Sequence, residues 1–136
     1  MRLEGVVYSL CEHELESFRN TLRIGAHALN REVHLIFEGG VTNYISTGQH
    51  EYGGTYNDPD FHLEMSDKSF CSDEQILVDM SGDPIWSPLI GKEVSITWRG
   101  PAADVLFLDA ADDYVILFAN GGCIDVSWAE PKWLKA

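Results

Sequence analysis

Alternation of apolar and polar residues dominates the second half of the chain. Val94, Ile96 and Trp98 share one face of a predicted strand, and apolar runs follow at 105–108, 114–119 and 123–128. The segments between these runs are rich in Gly, Pro, Ala and Asp, which is typical of turns. The pattern therefore predicts a four-stranded antiparallel meander over 92–128, with a plain turn at Asp112-Asp113.

The first half contains a similar hairpin pattern. Apolar runs at 33–37 and 41–46 flank Glu38-Gly39-Gly40, and residues 22–28 are expected to pair with the first run. Phe61, Leu63 and Met65 alternate as a further strand. These elements predict a mainly β, or β-rich α+β, fold built from antiparallel hairpins and meanders.

One short N-terminal helix is predicted from about residue 10 to residue 20. Ser9 and Glu12 have the spacing of a capping box, and Leu15, Phe18 and Leu22 follow with helical periodicity. The length of 136 residues suits a single domain over 1–136.

The two hairpins align without gaps at an offset of 82 residues, so that Val33 matches Val115 and Leu35 matches Leu117. Residues 22–46 thus echo residues 104–128. An internal duplication giving two similar halves and two independent hairpins with the same Gly-Gly turn chemistry are both open interpretations.

Charge narrows the range of partners. The chain holds 22 acidic and 9 basic residues, a net charge of -13, and residues 32–91 contain eleven acids and one base. This field repels phosphate backbones, so direct nucleic-acid binding is not expected. It attracts a basic protein surface, although acidity that merely keeps the chain soluble explains the same composition.

Localisation is predicted to be cytoplasmic. The N-terminus lacks a basic region followed by an apolar stretch, and no apolar run is long enough to cross a bilayer, so no membrane contact is expected. The three cysteines, Cys11, Cys71 and Cys123, are odd in number and widely spaced, which favours reduced thiols over a disulfide framework.

No motif commits the chain to a reaction, so we expect that it is not an enzyme and uses no cofactor. Cys11-Glu12-His13 is the closest grouping of metal ligands, and no second pair follows it, so no metal site is predicted. Nucleophile elbows and phosphate-binding loops are also missing from the sequence.

The most informative polar stretch runs from His50 to Asp60 and combines acids, tyrosines and a Gly-Gly pair. Tyrosine is enriched in binding surfaces because it offers a large area at low entropic cost. This stretch and the acids after it form the predicted partner-binding surface, with an ordinary solvated loop as the alternative. Its residues are Glu51, Tyr52, Tyr56, Asp58, Asp60, Glu64, Asp67, Asp73 and Glu74.

The last third of the chain resembles a type of small bacterial protein. The sequence Ser-Pro-Leu-Ile-Gly-Lys-Glu-Val at 87–94, followed by the hairpin over 114–126, is similar to a pattern in small acidic β-rich immunity proteins that neutralise polymorphic or contact-dependent toxins. The resemblance implies a toxin inhibitor, and no functional residue carries over from it.

Three functions are therefore open. The leading one is an acidic protein that inhibits a basic partner, a toxin or a nucleic-acid enzyme. The second is a structural or assembly module, such as a homodimer formed through an exposed strand edge. The third is a small-molecule binder or an enzyme with a β-cup pocket, in which His27, His34 and His62 would be the first residues to inspect.

Overall fold

A computed structural model describes residues 1–23, 27–49, 61–69, 75–99, 105–120 and 123–128. Within these ranges the chain forms ten strands and one α-helix. The strands are β1 (Leu3–Leu10), β2 (His27–Leu29), β3 (Glu32–Phe37), β4 (Val41–Gln49), β5 (Phe61–Ser66), β6 (Ile76–Asp79), β7 (Ser95–Arg99), β8 (Val105–Ala110), β9 (Asp113–Asn120) and β10 (Cys123–Ser127). Helix α1 is Leu15–Arg23, and a single 3-10 turn at Glu12–Glu14 leads into it.

The strands form two five-stranded sheets in which every neighbouring pair is antiparallel. Sheet 1 has the order β5-β4-β3-β1-β6, and sheet 2 has the order β2-β10-β9-β8-β7. The predicted fold class, mainly β with antiparallel hairpins and one short helix, is confirmed. The predicted meander is also confirmed, because β7, β8, β9 and β10 lie side by side in chain order.

The two sheets pack face to face around one apolar core. Strand β5 lies over β8 and β9, and β4 lies over β10. Side chains from both sheets, including Leu35 and Ile45 from sheet 1 and Leu106 and Leu117 from sheet 2, are fully buried in the same cluster. Each such side chain contributes about 1.5–3 kcal/mol to folding, so the alternating strands account for most of the driving force.

The segment between β6 and β7 turns repeatedly and is fixed to β1. The N–H of Met80 donates to the carbonyl of Val6 (2.8 Å), and the N–H of Gly91 donates to the carbonyl of Leu3 (2.7 Å). The side chains of Ile85, Trp86 and Leu89 are buried in the core. This stretch is irregular, as its Gly and Pro content predicted, and its buried apolar residues anchor it to the core.

The two hairpins that align in sequence have different loops. Phe37 pairs with Val41 across three residues, whereas Asn120 pairs with Cys123 across two. Gly39 has φ +79° and Gly40 has φ +77°, conformations that favour glycine. Each hairpin nevertheless forms the third and fourth strands of its sheet, when sheet 1 is counted from β6 and sheet 2 is counted from β7. The internal duplication stays a prediction.

The predicted start of the helix is wrong. Ser9 lies inside β1, where its hydroxyl donates to the side chain of Gln75 instead of capping a helix. The capping interaction is made two residues later, by the backbone N–H of Cys11 and the carboxylate of Glu14 (2.7 Å). Strand β1 therefore precedes the helical segment, and α1 starts at Leu15.

The predicted pairing of residues 22–28 with β3 is also wrong. Residues 22 and 23 belong to α1, and strand β2 pairs with β10 of sheet 2, where Leu29 lies opposite Ile124 and His27 opposite Val126. The buried side chains of His27 and Leu29 explain this choice, because pairing with β10 directs both of them into the core.

Candidate functional site

Two of the nine predicted partner-binding residues lie in the described part of the chain. Glu64 is exposed on β5, on the face of sheet 1 that points away from sheet 2, and its carboxylate contacts Nε2 of His62 at 2.9 Å. Asp67 is exposed in the bend after β5. Seven predicted residues lie outside the described residues: Glu51, Tyr52, Tyr56, Asp58, Asp60, Asp73 and Glu74.

A second acidic surface, which we call the acidic turn, lies where β8 joins β9 and comprises Asp109, Asp112, Asp113 and Tyr114. Asp109 and Tyr114 are directly opposite each other in the strand pair, and Asp112 is exposed at the tip. The predicted turn is thus present, but its role as a candidate binding surface was missed. The sequence offered one signal, three acids close to a tyrosine. It did not reveal the strand register that aligns Asp109 with Tyr114.

Aromatic packing holds this surface in place. The Tyr114 ring is stacked near that of Phe107, with centroids 6.4 Å apart and planes 26° apart. The guanidinium of Arg99 lies 4.1 Å from the centre of the Phe107 ring, a cation–π contact. Phe107 is only 4% exposed whereas Tyr114 is 42% exposed. The acidic turn therefore exposes Tyr114, whose ring packs against the buried ring of Phe107.

Most exposed acids of the described residues carry a charge that no neighbouring cation neutralises; Glu93 differs, because the N-terminal ammonium lies 3.1 Å from its carboxylate. None of the exposed acids forms an ion pair with a lysine or arginine side chain; the one such pair found among described residues joins Lys92 to the half-buried Asp113, at 3.3 Å. The exposed acids are Glu4, Glu12, Glu16, Glu38, Glu64, Asp67, Asp79, Glu93, Asp109 and Asp112. Coulomb attraction toward a basic surface is therefore available over much of the described exterior.

A buried polar chain links Trp86, Tyr8, His27 and Asp83. Trp86 Nε1 donates to the Tyr8 hydroxyl at 2.7 Å, and this hydroxyl lies 2.7 Å from Nδ1 of His27. Trp86 can only donate, so the Tyr8 oxygen accepts from it; Tyr8 in turn donates to His27 when the neutral imidazole carries its proton on Nε2, the nitrogen that lies 3.4 Å from Asp83. Burial lowers the pKa of His27 and raises that of Tyr8.

The four linked side chains are of residue types that occur in acid–base relays, but their burial indicates a structural role. Tyr8 and Trp86 are 0% exposed, so no substrate reaches the hydroxyl. The bond from Tyr8 in sheet 1 to His27 in sheet 2 fixes one sheet against the other. Burial disfavours the charged imidazolium and so lowers the pKa of His27, although the nearby Asp83 carboxylate acts in the opposite direction.

The three histidines proposed for a β-cup pocket do not meet. His27 points into the core, whereas His34 and His62 lie on the opposite face of sheet 1. Nε2 of His34 contacts the buried carboxylate of Glu32 at 3.0 Å, and the hydroxyl of Ser69 donates to the same oxygen at 2.6 Å. These contacts tie the chain after β5 to the surface of sheet 1.

The two described cysteines have different polar surroundings, and neither sulfur contacts an imidazole of a described residue. Cys11 lines an open cleft of about 740 Å³ with Glu12, His13 and Arg31, and Nε of Arg31 donates to its sulfur at 2.6 Å. Cys123 donates to the side-chain oxygen of Asn30, and burial followed by the charge of Asp125 raises its pKa. Between described residues, no imidazole contacts a cysteine sulfur or a serine hydroxyl, which a base-activated nucleophile requires.

The described residues bring together no group of three or more potential metal ligands. No helix among them is both long and apolar enough to span a bilayer. Two of the four tryptophans are exposed at strand ends, Trp98 by 40% and Trp128 by 56%, whereas Trp86 is in the core.

Comparison with protein-family models, curated proteins and solved structures finds no match to this chain.

Proposed function

We propose that this chain is an acidic binding protein of the cytoplasm that neutralises a basic partner, most specifically a toxin against which it gives immunity. The observation that carries the proposal is the set of exposed carboxylates among the described residues, none of which pairs with a described lysine or arginine side chain. A surface of this kind accelerates encounter with a basic protein and raises the cost of binding acidic ones.

Two surfaces serve as docking points in this proposal. The first is the predicted surface around residues 51–74, of which Glu64 and Asp67 are exposed as docking requires. The second is the acidic turn, where Tyr114 supplies apolar area next to Asp109 and Asp112. Tyrosine is among the residue types that are enriched in binding hot spots.

Inhibition follows from occlusion rather than from chemistry. A toxin that acts on nucleic acid, or an enzyme of nucleic-acid metabolism, exposes a basic channel, and carboxylates that enter this channel displace the phosphates it binds. Once Asp109 or another central acid is desolvated against an arginine, truncating that acid costs about 2 kcal/mol or more of binding free energy. A peripheral acid affects mainly the association rate.

The test is affinity capture from a lysate of the organism that encodes the chain, followed by an activity assay of the captured protein. We expect one basic partner near stoichiometry at low salt, and loss of its activity when the purified chain is added. Reversing the charges of Glu51, Asp58, Asp60 and Glu64 should abolish capture.

The matched control reverses four exposed acids elsewhere, Glu4, Glu12, Glu16 and Glu38, with the same change in net charge. This control should retain the partner. Equal loss in both variants would mean that total charge alone governs capture, and a captured partner that stays fully active would overturn the inhibitor proposal.

A further inference from the structure

Strand β7 is an open edge of sheet 2. Ser95, Thr97, Trp98 and Arg99 are exposed, and in the described part of the chain β7 pairs with β8 alone. The N-terminus contacts the two residues before the strand, where Glu93 forms a β-bridge with Arg2 and the N–H of Val94 donates to the carbonyl of Met1 (2.9 Å). Its register with β8 runs without a bulge from Ser95 to Arg99. Natural proteins usually blunt an edge with a proline, a bulge or a central charge, and β7 has none of these.

The other edges are less open. Strand β2 has three residues and β6 has four, which limits the number of backbone bonds that a neighbour can form. Strand β5 has an exposed acid, Glu64, near its centre. By this comparison β7 is the edge best suited to a further strand.

The sequence of β7 is complementary to itself. When two copies of Ser-Ile-Thr-Trp-Arg pair antiparallel about Thr97, Thr97 lies opposite its counterpart, Ile96 faces Trp98, and Ser95 faces Arg99. Ile96 and Trp98 are on one face of the strand, the face that Leu108 and Leu106 share in β8. An aromatic ring beside a β-branched side chain is a favourable cross-strand pair. In the single copy, Trp98 is 40% exposed.

We propose that β7 joins two copies of this chain, pairing antiparallel about Thr97 so that sheet 2 continues from one copy into the other. The occupant of the edge is a second copy, and the proposal stands independently of the proposed function. Strand addition of this kind uses backbone hydrogen bonds for affinity and alternate side chains for register.

Salt separates this proposal from binding of a basic partner. Each copy carries a net charge of -13, so bringing two copies together is opposed by repulsion that salt screens. Self-association should therefore strengthen as salt increases, whereas capture of a basic partner should weaken. Because the two salt dependences are opposite, each proposal can still be tested if the other one fails.

The first experiment measures the mass of the full chain by sedimentation equilibrium across the micromolar range, at low and high salt. We expect a monomer–dimer equilibrium that shifts toward the dimer at high salt. Thr97→Lys places two ammonium groups at the two-fold axis and should give a monomer at every concentration. Leu77→Lys makes the same charge change on the exposed face of β6 and should dimerise like the unmodified chain.

The second experiment tests the register. Residues opposite each other in an antiparallel pair have Cα atoms about 4.5–5.5 Å apart, within the range of a disulfide. Under mild thiol–disulfide exchange, Thr97→Cys should give a covalent dimer on a non-reducing gel. In the same register the two copies of residue 95 are separated by about 13 Å, so Ser95→Cys should give no more dimer than the unmodified chain.

A mass that stays monomeric at high concentration and high salt would overturn the proposal. A dimer that survives Thr97→Lys, or one that Ser95→Cys traps as well as Thr97→Cys, would overturn it too. If the chain stays monomeric and Thr97→Lys instead loses a captured partner, the edge binds that partner rather than a second copy. Circular dichroism of each variant establishes that the monomer is folded.

Discussion

The hydroxyl of Tyr8 is hydrogen-bonded to Nδ1 of His27 across 2.7 Å, and this bond joins sheet 1 to sheet 2 inside the core. The same hydroxyl accepts from Trp86, which lies in the irregular segment between β6 and β7. One tyrosine thus connects three parts of the chain that are distant in sequence. Its contribution to stability is testable without disturbing the surface.

Tyr8→Phe should lower the free energy of unfolding by about 1–3 kcal/mol, because it leaves Trp86 Nε1 and His27 Nδ1 buried without their partner. Urea denaturation measures the loss. The control is Tyr114→Phe, which removes the same hydroxyl from an exposed ring and should change stability by less than about 0.5 kcal/mol. Similar losses in both variants would contradict the role assigned to Tyr8.

His27 should make the fold sensitive to mild acid. Burial favours its neutral form, so the pKa of His27 in the folded state lies below its ordinary value of about 6.5. As pH falls below that value the unfolded chain takes up the proton first, and the free energy of unfolding decreases. The contribution of His27 to stability is complete above the ordinary pKa, and it is lost as pH falls from that value toward the lower pKa of the folded state.

The measurement is urea denaturation from about pH 7 to about pH 5. His27→Asn removes the titrating group while keeping an acceptor for Tyr8, and its stability should fall less steeply than that of the unmodified chain. Leu29→Ala destabilises the same strand through a buried apolar residue and should keep the original slope. Parallel curves for the chain and His27→Asn would refute the assignment.

The acidic turn contains a residue in a strained conformation. Ala111 has φ +57°, in the left-handed region that costs an L-residue about 1–2 kcal/mol relative to glycine. Ala111→Gly should therefore raise the free energy of unfolding by about 1 kcal/mol. The same replacement at the exposed Ala28 of β2 should lower it by about 0.5–1 kcal/mol. A loss of stability at both positions would argue against this turn.

Sheet 2 is apolar on both faces. Val105, Phe107 and Ile116 form a second cluster on the side that points away from sheet 1, and Ile116 is 0% exposed. Ile116→Ala should cost about 2–5 kcal/mol, as in an ordinary core. Leu77→Ala, on the exposed face of β6, should be nearly neutral. A small effect at Ile116 would mean that this side contributes little to folding.

The sequence predicted those parts of the fold that depend on neighbouring residues. The meander and the β3–β4 hairpin join adjacent strands, so alternation and turn residues were sufficient. The pairing of β2 with β10 connects residues nearly a hundred positions apart, and no local pattern encodes it. No strand was predicted over Leu3–Leu10, because the capping-box spacing of Ser9 and Glu12 indicated a helix there. The alternation of Val6, Tyr8 and Leu10 was the signal for β1.

The candidate site was predictable in part. Its acidic character comes directly from composition, and Glu64 and Asp67 are exposed as expected. The acidic turn was interpreted only as a turn, because two adjacent aspartates usually mark one. That Asp109 lies beside Tyr114 follows from strand register, which the sequence does not reveal.

The measurement that tests the proposed function most directly is the association rate of the purified chain with its captured partner, followed across ionic strength by stopped-flow fluorescence. Steering by unneutralised carboxylates predicts a rate that falls steeply as salt increases. Reversing Asp109 and Asp112 or Glu64 and Asp67 should slow the association further. A rate that is independent of salt and unchanged by both reversals would contradict an acidic surface built to bind a basic protein.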